Sequence, residues 1–273
     1  MAMRPARRLF TPTFHFPEHA MKKTLSLAIA ALALTATAQA HQVWIEQPAG
    51  KPAIIRFGEF AENLREASPG YLDGFDKMTA TLLTAKGEVP LTATKAADGF
   101  TLSQKVGGKD GVVVDGPMNT LRTFKHGGEP LQTWFQMNAR YVPDAAAATA
   151  PKLVMDIVPT GQAGQFQVVF KGQPLPKTKL VAMVDSGWEQ TAYTDEQGKA
   201  NFSLPWKTQY VLRTMHIDRT PGDRPGASGP EHYDAIGYVA TLTFVKPDGA
   251  APLPAVPVRP PNKVQAAPAA AAK

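Results

Sequence analysis

The sequence predicts an all-β protein: two antiparallel β-sandwich domains in series, the second Ig-like or prealbumin-like, ending in a disordered Pro/Ala-rich tail. Three observations carry that prediction. Short runs rich in Val, Ile, Thr and aromatic residues recur about every 8–12 residues, the spacing of sandwich strands. Turn-forming residues separate them, as at Lys86-Gly87 and Asp195-Glu196-Gln197-Gly198. An Ala-rich stretch from Asp144 to Lys152 divides the runs into two sets, with the boundary near Asp156. The expected plan is 1–40 signal, 41–156 first sandwich, 157–247 second sandwich and 248–273 tail.

The signal comes first. Met21-Lys22-Lys23 leads into an uncharged apolar run from Leu25 to Ala36, and Ala38-Gln39-Ala40 places small residues where a signal peptidase reads. Residues 1–20 precede this better start at Met21. The apolar run is shorter than the roughly 18 residues a spanning helix needs. The expectation is a Sec-type signal cut before His41, a periplasmic mature chain, and no membrane span after the cut. Removing 40 of 273 residues leaves 233, long enough for two small domains.

In the first half, Val43-Trp44-Ile45 and Ala53 to Gly58 read as strands. Glu59 to Glu66 shows no strand alternation and reads as a helical turn or ordered loop. Ser68-Pro69-Gly70-Tyr71 breaks the chain. Thr79 to Thr84 and Glu88 to Thr92 flank a hairpin turn. Phe100 to Val106, Gly111 to Asp115 and Leu131 to Met137 complete the half. In the second half, Gln165 to Phe170, Lys179 to Val184, Gln190 to Thr194, Lys199 to Leu204, Tyr210 to His216 and Gly237 to Phe244 make about six strands in about 80 residues, enough for a small sandwich. From Pro247 the chain is mostly Pro and Ala, with too little apolar surface to fold alone.

Composition excludes several functions. Beyond residue 40 there are 24 Lys/Arg against 22 Asp/Glu, too even for a nucleic-acid partner. There is no cysteine, so thiolate metal sites, thiol catalysis and disulfides are excluded. There is no phosphate-binding glycine loop. Asp185-Ser186-Gly187 lacks a nucleophile elbow, which argues against a serine hydrolase.

Histidine chemistry remains. A chain starting at His41 presents an α-amine beside its own imidazole, and the two nitrogens can chelate one metal ion. A further histidine from elsewhere would complete a T-shaped three-nitrogen site of the kind that suits Cu(II) or Ni(II). The candidates are His126 in a Gly-rich loop, His216 at a strand end and His232 in a loop, with Glu59 as a carboxylate partner. No two histidines show a local metal-binding spacing, so any site is assembled across the fold. Glu59, Glu62 and Glu66 at helical spacing near Arg56 and Arg65 read first as a solvated face with local ion pairs. Trp134, Trp188 and Trp206 read first as packing residues.

The pieces His41 to Glu46, Arg56-Phe57-Gly58-Glu59-Phe60, Glu62-Asn63, Ser68-Pro69-Gly70, Gly172-Gln173-Pro174-Leu175, Gly187-Trp188-Glu189, Thr194 to Gly198, Leu204-Pro205-Trp206, Tyr210, His216 to Pro221 and Tyr233-Asp234-Ala235 give the chain a resemblance. It resembles a secreted bacterial domain-of-unknown-function family whose members are often labelled nickel- or cobalt-uptake periplasmic proteins. That resemblance implies capture of a divalent transition metal, nickel or cobalt and by the chelate chemistry also copper, for a membrane transporter, without enzymatic turnover. The alternative is a metal-free periplasmic interaction module acting through loops and strand edges.

Overall fold

The structure, a computed structural model, describes residues 41–263. The expected export signal, the expected cut before His41 and residues 264–273 of the expected tail lie outside the described residues. The described chain is all-β: strands joined by turns, with two short 3-10 turns at Phe60–Glu62 and Tyr71–Gly74.

One eight-stranded sheet organises the molecule. Its strand order is Glu189–Tyr193, Lys179–Met183, Gln209–Asp218, Ala235–Val245, Glu129–Tyr141, Gly111–His126, Thr79–Thr84, Gly87–Leu91. The first four come from the second half of the sequence and the last four from the first half. They join where Ala235–Val245 runs parallel to Glu129–Tyr141, with Val239 level with Met137. The other pairs in this sheet are antiparallel.

Two smaller sheets pack on opposite faces of the large one, and the two-residue side-chain alternation of strands shows how. Along Glu129–Tyr141, Met137 and Ala139 point into a core with Val43, Ile55, Phe57, Phe100 and Leu102 of the first small sheet. Their neighbours Asn138 and Arg140 point the other way. On that opposite face Leu180, Leu212, Tyr210 and Leu242 pack with Ile157, Phe166 and Val168 of the second small sheet. The two large clusters therefore lie on opposite faces of the shared sheet, the first drawn mainly from the first half of the sequence and the second mainly from the second half. Tyr210 lies in the second core, and its hydroxyl accepts a hydrogen bond from the Trp206 N–H at 2.7 Å, four residues upstream. This resembles the corner bond of Ig-like sandwiches.

The first small sheet is built on Gln42–Glu46, Ile54–Glu59, Gly99–Leu102 and Ala93–Ala96, with Leu64–Arg65 added beside Ile54–Glu59. Its first strand also crosses Ala235–Val245. The Thr241 hydroxyl donates to the Val43 carbonyl at 2.7 Å. Trp44 and Phe60 cover Val181, Met183 and Val211 of the large sheet in a third cluster.

Part of the tail departs from the expectation of disorder. Residues 248–263 lie along the body and are hydrogen-bonded to it. Ala250 N–H donates to the Pro205 carbonyl at 2.8 Å, and Val256 N–H to the Asp185 carbonyl at 2.9 Å. A Pro-rich segment cannot form its own core, but its extended backbone keeps free carbonyls and N–H groups that a folded surface can satisfy. Among the described residues, no helix is long and apolar enough to cross a membrane.

Candidate functional site

The site forms where the first small sheet begins. Gln42–Glu46 and Ile54–Glu59 are antiparallel, with Gln42 opposite Gly58. One step further along this register His41 stands level with Glu59. Ile54–Glu59 also pairs with Leu64–Arg65, with Gly58 opposite Arg65, and the Glu66 N–H donates to the Phe57 carbonyl at 2.8 Å. His41, Phe57, Glu59 and Glu66 therefore fall on one face of three adjacent strands.

The chain reverses between Glu59 and Leu64 through the Phe60–Glu62 turn and Asn63, whose φ of 50° is left-handed. The short polar side chain of asparagine tolerates that conformation. Gly58 makes the close pairing possible. Its φ is +146°, and a Cβ there would collide with the Leu64 carbonyl oxygen.

The His41 imidazole is held between two carboxylates. Its Nε2 is 2.5 Å from Glu66 Oε1, and its Nδ1 is 3.2 Å from Glu59 Oε1. The Glu66 side chain is fully buried, the Glu59 side chain is 10 % exposed, and that of His41 is 22 % exposed. Asn262 completes the cluster from the tail. Its backbone N–H donates to Glu66 Oε2 at 3.0 Å and its side-chain amide to Glu66 Oε1 at 2.6 Å. The ring also lies against Phe57, with centroids 5.2 Å apart, and Tyr71 at 6.1 Å.

Carboxylates only accept hydrogen bonds, so a ring nitrogen facing one must carry a proton or share a cation with it. A neutral imidazole has one N–H and can satisfy only one of its two carboxylates. The second contact requires a second proton on the ring, or a bound cation in its place. Burial works against a charged His41, but the hydrogen bonds and charges of Glu59 and Glu66 outweigh it and raise the ring pKa above 6.5.

The structure corrects the reading of Glu59, Glu62 and Glu66 as one solvated face. The turn at 60–63 places Glu59 and Glu66 on neighbouring strand segments facing His41. Glu62 alone stays exposed, paired with Arg259. Nor do these glutamates pair with Arg56 and Arg65. Both guanidiniums bind Glu46 instead, with Arg56 Nε at 2.9 Å and Arg65 Nη2 at 2.7 Å. Burial of the Glu46 carboxyl opposes its charge, but the two arginines hold its pKa below the ordinary carboxylate value. Trp44 Nε1 donates to the same carboxylate at 3.1 Å, so this network ties all three site strands together.

Of the candidate ligands, His41 and Glu59 are brought together. His216 packs on the Phe170 ring with centroids 4.6 Å apart, where burial lowers its pKa despite the nearby Asp218 charge. His232 sits on an exposed hairpin, its Nδ1 3.1 Å from Asp223 Oδ1. His126 ends the Gly111–His126 strand, paired with Glu129. Among the described residues, no three His, Cys, Asp or Glu side chains are grouped to hold a metal ion. A metal at His41 would need the freed α-amine as well as Nδ1 and Glu59.

Sequence reasoning missed Glu66 as a partner of His41, and missed Asn262 entirely. The tryptophans pack as expected: Trp188 and Trp206 lie against the second core, and Trp134 Nε1 donates to the Met118 carbonyl at 2.8 Å. A separate groove of about 630 Å³ is lined in part by Glu88, Lys109, Arg140, Asp144 and Lys152, and its lining includes no residue of the His41 cluster.

No family model matches the chain, and no curated protein matches it.

Proposed function

We propose that the chain, cut before His41 and exported to the periplasm, captures a divalent transition metal, nickel, cobalt or copper, and hands it to a membrane transporter. The observation that carries this reading is the imidazole placed between two carboxylates. Metal-bound histidines commonly donate their second ring N–H to a buried carboxylate, which fixes the tautomer and orients the ring. Glu66 is suited to that role because it is fully buried and both its oxygens are held by Asn262. With the proton on Nε2, the Nδ1 lone pair faces Glu59. The freed amine, Nδ1 and the Glu59 carboxylate then form a two-nitrogen, one-oxygen donor set, and nitrogen-rich sets favour Cu(II) and Ni(II). This function is capture and release, with no reaction catalysed. The resemblance to nickel- and cobalt-uptake proteins supports the same reading.

A second reading has its own observation. A proton is also a cation, and the raised pKa of His41 allows an imidazolium to satisfy both carboxylates. The cluster is then a structural lock in an interaction module. Titrating the processed chain and its Glu59→Gln variant with Ni(II) and Cu(II) separates the two. Metal capture predicts binding that Glu59→Gln weakens. The lock predicts no saturable binding by either protein.

A further inference from the structure

The tail segment that reaches His41 follows a three-residue rhythm. Pro254, Pro257, Pro260 and Pro261 punctuate it, and proline favours the polyproline II form, which has three residues per turn. Val256, Arg259 and Asn262 therefore fall on one edge of such a helix. All three bind the 59–66 reversal. Asn63 donates its side-chain amide to the Val256 carbonyl at 2.8 Å. The Arg259 N–H donates to the Asn63 carbonyl at 3.2 Å, and its guanidinium pairs with Glu62. Asn262 directs two donors to the two oxygens of Glu66. The anchors run along the turn in order, 256 and 259 at residues 62–63 and 262 at residue 66, so the edge of the strap tracks the segment that carries both site carboxylates.

The last anchor differs in kind from the first two. Those hold backbone and an exposed ion pair, whereas Asn262 binds the one fully buried carboxylate of the cluster. Glu66 Oε1 receives both the Asn262 amide at 2.6 Å and His41 Nε2 at 2.5 Å, and the amide nitrogen itself stands 3.5 Å from Nε2. A carboxylate with one oxygen tied to a backbone N–H and the other to a side-chain amide cannot rotate away from the imidazole.

We propose that Asn262 is a positioning residue for the His41 site, and that the 254–262 strap is the element that delivers it. By fixing the Glu66 carboxylate, Asn262 selects the imidazole tautomer protonated at Nε2, and so turns the Nδ1 lone pair toward Glu59. This role rests on the metal-capture reading for its purpose, but it can be observed without metal. The strap residue acts through Glu66 and is assigned no ligand role.

The test uses the full processed chain and its Asn262→Ala variant. In the metal-free protein, with the ring neutral, long-range nitrogen–proton NMR of His41 reads the tautomer directly. The proposal expects one species protonated at Nε2 in the natural chain and a mixture of both tautomers in Asn262→Ala. An unchanged single tautomer in Asn262→Ala, or a natural chain protonated at Nδ1, overturns it. Titration with Cu(II) is the second arm, where the expected loss of affinity is about 10- to 100-fold, as for other groups that orient metal ligands. If the natural chain binds no Cu(II), the metal reading fails, and the tautomer comparison still decides the role of Asn262. If the tautomer changes as expected and Cu(II) affinity does not, positioning of the ligand nitrogen is refuted. A chain ending at Thr243 would remove part of the large sheet, so truncation is made after Leu253, which removes the strap and the residues that follow it and leaves every strand of the large sheet in place. It should reproduce the Asn262→Ala tautomer mixture.

Discussion

Asp156 is the residue whose loss should be felt most strongly in the fold. It opens the second half of the sequence and reaches back to Arg140 on the joining strand of the first half. Asp156 is fully buried and Arg140 is 1 % exposed. The carboxylate accepts from Arg140 Nε at 2.9 Å and Nη2 at 2.5 Å, and from the backbone N–H groups of Lys152 and Leu153 at 2.8 and 3.2 Å. Asp156→Ala leaves a buried guanidinium without its counter-charge and two N–H groups without an acceptor. Breaking one side of a buried pair costs about 3–5 kcal/mol. With a urea slope of about 2–3 kcal/mol per molar, the unfolding midpoint should fall by about 1–2.5 M. Equilibrium urea unfolding followed by tryptophan fluorescence measures it. The double change Arg140→Met with Asp156→Leu removes both charges together and should recover much of the loss, because the penalty comes from the stranded charge. A cost below about 1 kcal/mol for Asp156→Ala, or a double variant as unstable as the single one, would refute this account of how the halves are joined.

Three further outcomes are expected. Gly58→Ala should destabilise the first small sheet, since its φ of +146° suits glycine and a Cβ would collide with the Leu64 carbonyl oxygen. The thermal midpoint should drop and Cu(II) binding should weaken with it, because Glu59 is the adjacent residue. His41 and His216 should titrate on opposite sides of 6.5 in ring-proton NMR, His41 above it and His216 below it. The stability from His41 is thus fully present below pH 6.5 and lost as pH rises through its raised value, whereas burial of neutral His216 loses stability as pH falls below 6.5. Asp218, held at about 2 by the Lys171 and Thr220 hydrogen bonds, should remain charged in the folded protein until the pH approaches that value. Its stabilisation is present above the ordinary 3.8 and fades between there and about 2, so Lys171→Met should shift the acid unfolding edge upward.

Much of the strand pattern was legible because short β-branched runs and turn residues report directly on pleated, half-buried chain. Val43-Trp44-Ile45 and Ile54 to Gly58 are where such runs place them. The pairing of His41 with Glu59 follows from those two strands once their register is known. The shared sheet was not legible. The contact between Glu129–Tyr141 and Ala235–Val245 is parallel and distant in sequence, and no local turn announces it. Glu66 was obscured because three glutamates at helical spacing imitate an exposed helix face, while one left-handed Asn63 puts two of them on paired strands. Asn262 was obscured by composition. Proline and alanine signal a chain unable to fold alone, and that signal does not tell whether a folded body offers it partners. The three-residue spacing of Val256, Arg259 and Asn262 between prolines was the one available cue.

The most direct test of metal capture is calorimetric titration of the chain beginning at His41 with Cu(II), Ni(II), Co(II) and Zn(II), beside a chain carrying one extra residue before His41. The account predicts one-to-one binding to the processed chain, strongest for Cu(II) or Ni(II), that the extra residue abolishes by converting the amine to an amide. Equal weak binding to both chains, or none, would contradict an amine–imidazole–Glu59 site and leave His41 as the cation of a structural lock.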